Sequence, residues 1–110
     1  MNRDKRYISD IHQCILRIEE YTSSGESAFM NTTLIQDGVI RNFEIIGEAT
    51  KRLSSELRSN YPSVPWKQIA GFRDVLIHDY LRVDCQEIWD TITNNLPELK
   101  VQIEQILQEI

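Results

Sequence analysis

One set of six residues restricts the fold more than any other feature of this chain. Val39, Phe43, Ile46, Thr50, Leu53 and Leu57 recur with alternating steps of four and three. That spacing puts them on one stripe of a helix and makes the stripe a seam against other helices. Ile40, Ile45 and Ala49 widen it. The pattern predicts one long helix from about Thr32 to about Leu57. Gly38 and Gly47 fall inside it, and each costs about 1 kcal/mol relative to Ala in a helix interior. Their presence predicts close approach of a neighbouring helix at one or both.

The flanking segments keep the helical period. Ile8, Ile11, Ile15, Ile18 and Thr22 form the stripe of a first helix, which SSG at 23–25 ends. Gly25 suits a C-terminal cap there. Glu26 to Met30 reads as a short turn of helix. The two prolines of SNYPSVPW, residues 59–66, mark a loop, and Pro65 suits the first turn of the next helix. That helix should stop near His78. Asp84 is the expected N-cap of the last region, with Glu87 completing a capping-box pattern. Ile88, Ile92, Leu96, Leu99, Ile103, Ile106 and Ile110 carry a final stripe. Pro97 interrupts it and predicts a kink, or two helices meeting near Asn95. The expected fold is all-α, an antiparallel bundle of four to five helices. The length, 110 residues, suits one domain over 1–110.

Composition narrows the setting. Apolar residues make up 41% of the chain, enough for a core and too many for disorder. The net charge of −5 opposes a bulk electrostatic grip on long nucleic acid. A short RNA segment in a local basic pocket, or a basic protein partner, stays open. Cys14 and Cys85 sit in no metal or redox spacing, so two free thiols in a reduced, cytoplasmic setting are expected. MNRDKRYISD is charged and lacks an apolar h-region, so no signal peptide is expected. No apolar run approaches bilayer length, so no membrane is expected among the partners.

The chemistry concentrates in GFRDVLIHDY, residues 71–80. Ile69, Phe72 and Leu76 keep an apolar helical spacing, yet Arg73, His78 and Tyr80 interrupt it. Arg73 and His78 are about 140° and about 7.5 Å apart on an unbroken helix. They converge only by one of three routes. The helix ends between them, the bundle wraps so that both rim one cleft, or a two-fold dimer gathers two copies. His78 reads as a helix-end residue near the last carbonyls, or as a general acid or base. Arg73 reads as a salt-bridge partner of Asp74 or Glu48, or as a guanidinium clamp on phosphate. Tyr80 packs its ring, contacts phosphate or accepts a modification. Asp79 is expected to be solvated.

A second polar set, Arg41, Asn42, Glu44 and Glu48, lies on the long helix. Glu44 and Glu48 share a face. Surface charge or pairing with Arg52 is their expected use, since two carboxylates alone make a poor metal site. Asn42 sits beside the seam and needs partners if buried, with Arg73 or His78 as candidates. His12 and Cys14 read as structural. The sequence has no Gly-rich phosphate loop, Ser-His-Asp set or zinc spacing, so neither metal nor cofactor is expected.

Arg73-x4-His78-x-Tyr80 resembles the R-x4–6-H-x-Y signature of HEPN-domain ribonucleases. VIRNFEIIGEATKRLS, YPSVPWKQIAGFRDVLIHDYLRVD and IWDTITNNLPELKVQIEQIL, in that order, resemble the HepT branch across most of the chain. The resemblance implies a HEPN-type bundle that dimerises and brings two motifs to one cleft. It implies a metal-independent RNA endonuclease with Arg73 and His78 as catalytic residues, supported by Asn42, Asp74 and Arg41. Dependence on the 2′-OH selects RNA and not DNA. It further implies the toxin of a toxin–antitoxin module. The antitoxin is a minimal nucleotidyltransferase that silences the toxin by moving AMP from ATP onto Tyr80. Position 79 is often glycine in relatives and is Asp79 here, which would repel RNA phosphate. Two alternatives stand beside this. One is a non-catalytic helical module that binds the nucleotidyltransferase, which the acidic surface also fits. The other is nucleotide binding without hydrolysis.

Overall fold

The computed structural model describes residues 2–110, apart from the side chains of Asn2 and Tyr80. Seven α-helices carry the chain: α1 (Asn2–Tyr21), α2 (Glu26–Asn31), α3 (Thr33–Arg52), α4 (Ser55–Asn60), α5 (Trp66–His78), α6 (Cys85–Asn94) and α7 (Leu96–Glu109). A 3₁₀ turn spans Tyr80–Arg82. Among the described residues there is no strand, so the all-α expectation holds. Five helices reach ten residues or more, and α2 and α4 are short links between them.

The apolar stripes become the core. Ile8, Ile11, Ile15 and Ile18 of α1 are buried against Val39, Phe43, Ile46 and Ala49 of α3. Leu96, Leu99, Ile103 and Ile106 of α7 complete it, while Ile110 at the end of that stripe is exposed. A His12–Glu104 hydrogen bond and a Lys100–Glu19 ion pair, both at 3.0 Å, tie α1 to α7.

The long helix expected up to Leu57 is cut in two. Ser54 has an extended backbone, ψ 151°, and its hydroxyl accepts the Leu57 N–H to cap α4. The carboxylate of Asp4 accepts the Ser54 N–H at 2.9 Å and its hydroxyl at 2.6 Å. These local hydrogen bonds compete with the helical ladder and end α3 at Arg52. Leu53 and Leu57 are still buried. The apolar pattern therefore reported burial correctly and helix continuity wrongly.

α5 starts directly after Pro65, and the Trp66 indole N–H donates to the Tyr61 carbonyl. It lies along α3, where the glycine expectation is met at Gly47. A Cβ there would fall 2.1 Å from the Cβ of Arg73. One turn away Phe43 and Phe72 pack edge to face, centroids 5.3 Å apart, a contact worth about 0.5–1.5 kcal/mol beyond area burial. Gly38 faces the Tyr21 ring instead of a helix backbone. Asp84 caps α6 as expected, but its carboxylate accepts from the Gln86 N–H, one residue before Glu87. α6 and α7 are separate helices that meet at Asn95, with Pro97 in the first turn of α7. Cys14 and Cys85 are both free thiols. Among the described residues no helix is long and apolar enough to cross a membrane.

Candidate active site

α5 is continuous from Trp66 to His78. The helix does not end between Arg73 and His78, so the first route to convergence is closed. Within one chain the two side chains leave the helix about 140° apart.

Arg73 is half-buried and held on two sides. One guanidinium nitrogen lies 3.1 Å from a Glu48 oxygen and another 3.1 Å from the Asp74 carboxylate. Asp74 also accepts from Lys51 at 2.6 Å, and Glu48 from Arg52 at 2.8 Å. Three cations thus share two carboxylates, and one net positive charge remains. The Lys51 hydrogen bond, followed by that from Arg73, outweighs burial and holds the Asp74 carboxyl below its ordinary range. Both salt bridges foreseen for Arg73 exist, and so does the Glu48–Arg52 pair. The Arg73 Nε is buried without a partner among the described residues.

His78 is the last residue of α5 and is exposed. Asp79 is exposed too, and its N–H donates to the Val75 carbonyl to close the helix. Its φ of −121° suits any residue, so aspartate stands there without strain. The Tyr80 side chain lies outside the described residues.

Arg73 lines a groove of about 420 Å³ between α1, α3 and α5. Arg41 and Ile77 share it, while His78 does not line it. Sequence reasoning missed three of its members: Tyr7 and Asp10 of α1, and Arg52 as a wall of the site. The available signal was the i, i+3 step from Tyr7 to Asp10 on the polar side of α1. Asn42, expected to orient Arg73 or His78, does neither. It is buried and its amide donates to the Gly38 carbonyl at 2.8 Å, back along its own helix. Arg82 also lies apart, in a separate groove beside Asp79, Asp84 and Glu87. A cavity of about 460 Å³ opens between α5 and α6–α7 over Phe43, Phe72 and Leu99. It is larger in volume than the Arg73 groove, yet Glu98 is the one charged side chain that lines it, so it is the poorer candidate for chemistry. Among the described residues no three His, Cys, Asp or Glu side chains gather as metal ligands.

The motif, its helix and its grooves can be set beside known proteins. The family model described as ribonuclease HepT-like matches residues 11–106. A Methanocaldococcus jannaschii protein named "Gamma-glutamylcyclotransferase and putative RNase" is 42% identical over 112 residues, all of this chain, and the chain spans half of that relative's length. A "Putative RNase" of Caldanaerobacter subterraneus is 40% identical over 99% of this chain and 98% of its own. A "Probable ribonuclease HepT" of Thermococcus cleftensis is 38% identical over 93% and 94%. No solved structure matches the chain. The match along most of its length shows that the chain belongs to the HepT-like ribonuclease family.

Proposed function

We propose that the chain is a metal-independent RNA endonuclease whose working site forms between two copies. The observation that carries this reading is the unbroken α5. Arg73 and His78 leave one helix about 140° apart and His78 does not line the Arg73 groove, whereas two helices related by a two-fold axis can each supply one of them. Ile77, one turn beyond Arg73, is 37% exposed, and Val75 and Leu81 are 54% and 84% exposed. These apolar residues lie within the motif and just after it, and support packing against a second copy.

In that cleft the RNA 2′-OH attacks the adjacent phosphorus. Its proton passes to an imidazole of one His78. The P–O5′ bond breaks, and the leaving 5′-oxygen takes that proton from the same imidazolium. The products are a 2′,3′-cyclic phosphate and a 5′-OH. Proton transfer of this kind contributes roughly 10²–10⁴-fold. Arg73 stabilises the charge on the phosphorane, a role that demands a fixed guanidinium. Glu48 and Asp74 fix it. We further propose that the chain is a toxin, silenced when a nucleotidyltransferase antitoxin transfers AMP. The Tyr80 oxygen would attack the α-phosphorus of ATP and pyrophosphate would leave. The added phosphodiester repels substrate phosphate and its bulk blocks entry.

One observation favours a second reading, a non-catalytic module that binds the antitoxin. Both acids beside Arg73 already engage it. Cleavage of a labelled RNA panel in EDTA decides between the two, with His78→Ala alongside and its fold checked by circular dichroism. Cleavage by wild type alone is expected. No cleavage by protein whose intact mass shows no AMP selects the binding module.

A further inference from the structure

The groove beside Arg73 is uneven in charge along its length. α1 and α3 run antiparallel, since Asp4 binds Ser54 at one end and Tyr21 packs on Gly38 at the other. Arg41 and Glu44 lie in the half towards Ile77, and Asp10, by this register, stands level with Glu48. Asp10 and Glu44 make no ion pair among the described residues. Arg52 and Tyr7 line the opposite half. There Glu48 is engaged by Arg52 and Arg73, and beyond Asp10 the wall carries no further acid.

Arg3 extends this second half. It sits one turn before Tyr7 and two turns before Asp10, within about 20° of the Asp10 direction on α1. It is exposed, and it makes no ion pair among the described residues. Its neighbour Asp4 is occupied by Ser54 through both oxygens. From Arg41 to Arg52 the floor of α3 runs about 16.5 Å, room for several nucleotides.

We propose that the RNA strand held at Arg73 runs along α3 past Arg52 and leaves over the first two turns of α1. Arg3 meets a phosphate there and Tyr7 offers its ring to a base. Phosphates are drawn past Arg52 and Tyr7, where no acid lines the wall beyond Asp10, and turned from the half where Glu44 stands unpaired. A half-buried ring beside arginines is the combination that holds single strands without regard to sequence. The inference rests on the ribonuclease reading above and adds the direction and the contacts of the substrate.

Steady-state cleavage of a labelled single-stranded RNA at low salt tests it. Arg3→Glu should raise KM roughly 3- to 10-fold with kcat within about twofold, and the loss should shrink as salt rises. Tyr7→Leu keeps an apolar side chain and should raise KM roughly fivefold or more. Glu44→Gln should lower KM. Arg82→Glu, the same charge change on another face, should move KM less than about twofold. Equal KM shifts for Arg3→Glu and Arg82→Glu would overturn the path and leave the ribonuclease reading intact. Wild-type protein that does not cleave, or cleavage that survives His78→Ala, would remove the ribonuclease reading and this path with it.

Discussion

Gly47 of α3 presses its bare backbone against the stem of Arg73 on α5, so that a Cβ on one would lie 2.1 Å from the Cβ of the other. Two opposed effects then act on Gly47→Ala. Alanine gains about 1 kcal/mol of helix propensity. Overpacking against an atom as close to the backbone as a Cβ costs about 1–3 kcal/mol. The clash should win, because Arg73 Cβ cannot swing aside without moving α5. Urea unfolding is expected to show a net loss of about 1 kcal/mol, with cleavage falling further as Arg73 shifts. A rise in the urea midpoint would mean that the helices are not so close.

Glu48→Gln separates holding from blocking at Arg73. Glu48 is 40% exposed, and ion pairs of that kind contribute about 1 kcal/mol or less. Thermal stability should therefore change little. The catalytic effect should be larger, because the substitution frees one side of the guanidinium and also releases Arg52. We expect kcat to fall roughly tenfold, within the range that small misplacements cause. An increase in kcat/KM would mean that Glu48 competes with phosphate.

Acid should expose the link between Asp4 and Ser54. Burial pushes the Asp4 carboxyl up, but the Ser54 hydroxyl and N–H outweigh it and hold the pKa below 3.8. The unfolded chain then binds more protons than the folded one as pH falls. The contribution is complete above the ordinary value near 3.9 and is lost as pH drops through the lower folded value. Asp4→Asn should be less stable than wild type in urea at pH 7, and the gap should narrow as pH falls below about 3.9. A gap that does not change with pH would count against this pairing. Ser54→Ala should cost about 1 kcal/mol at pH 7 through the lost cap.

The periodicities at 8–18, 39–57 and 88–106 carried most of the fold, because burial requires a stripe whatever the helix does at its ends. The break at Ser54 was not legible. It depends on Asp4, fifty residues away, and no local pattern announces that partner. The same reason hid the groove. Arg73 and Asp74 are adjacent in the chain, but Tyr7, Arg52 and Arg73 meet only through packing. Asn42 escaped for the opposite reason, since its amide donates to the fourth residue back along its own helix, while its buried Oδ1 meets no partner among the described residues.

The continuous α5 makes a last, sharper prediction. If each site takes Arg73 from one copy and His78 from the other, two inactive variants can repair one another. Arg73→Ala dimers lack the guanidinium, and His78→Ala dimers lack the proton carrier. Unfolding the two together at equal amounts and refolding them should give half mixed dimers. In each mixed dimer one of the two sites draws an intact Arg73 and an intact His78 from different chains, so about a quarter of wild-type activity should return. Repair requires exchange, so light scattering must first show that each variant is dimeric. Dimers that mix without any recovery would mean that Arg73 and His78 act from the same chain, against the 140° that α5 puts between them. Ile77→Asp in both variants should abolish the recovery by separating the copies while leaving the core residue Leu76 in place.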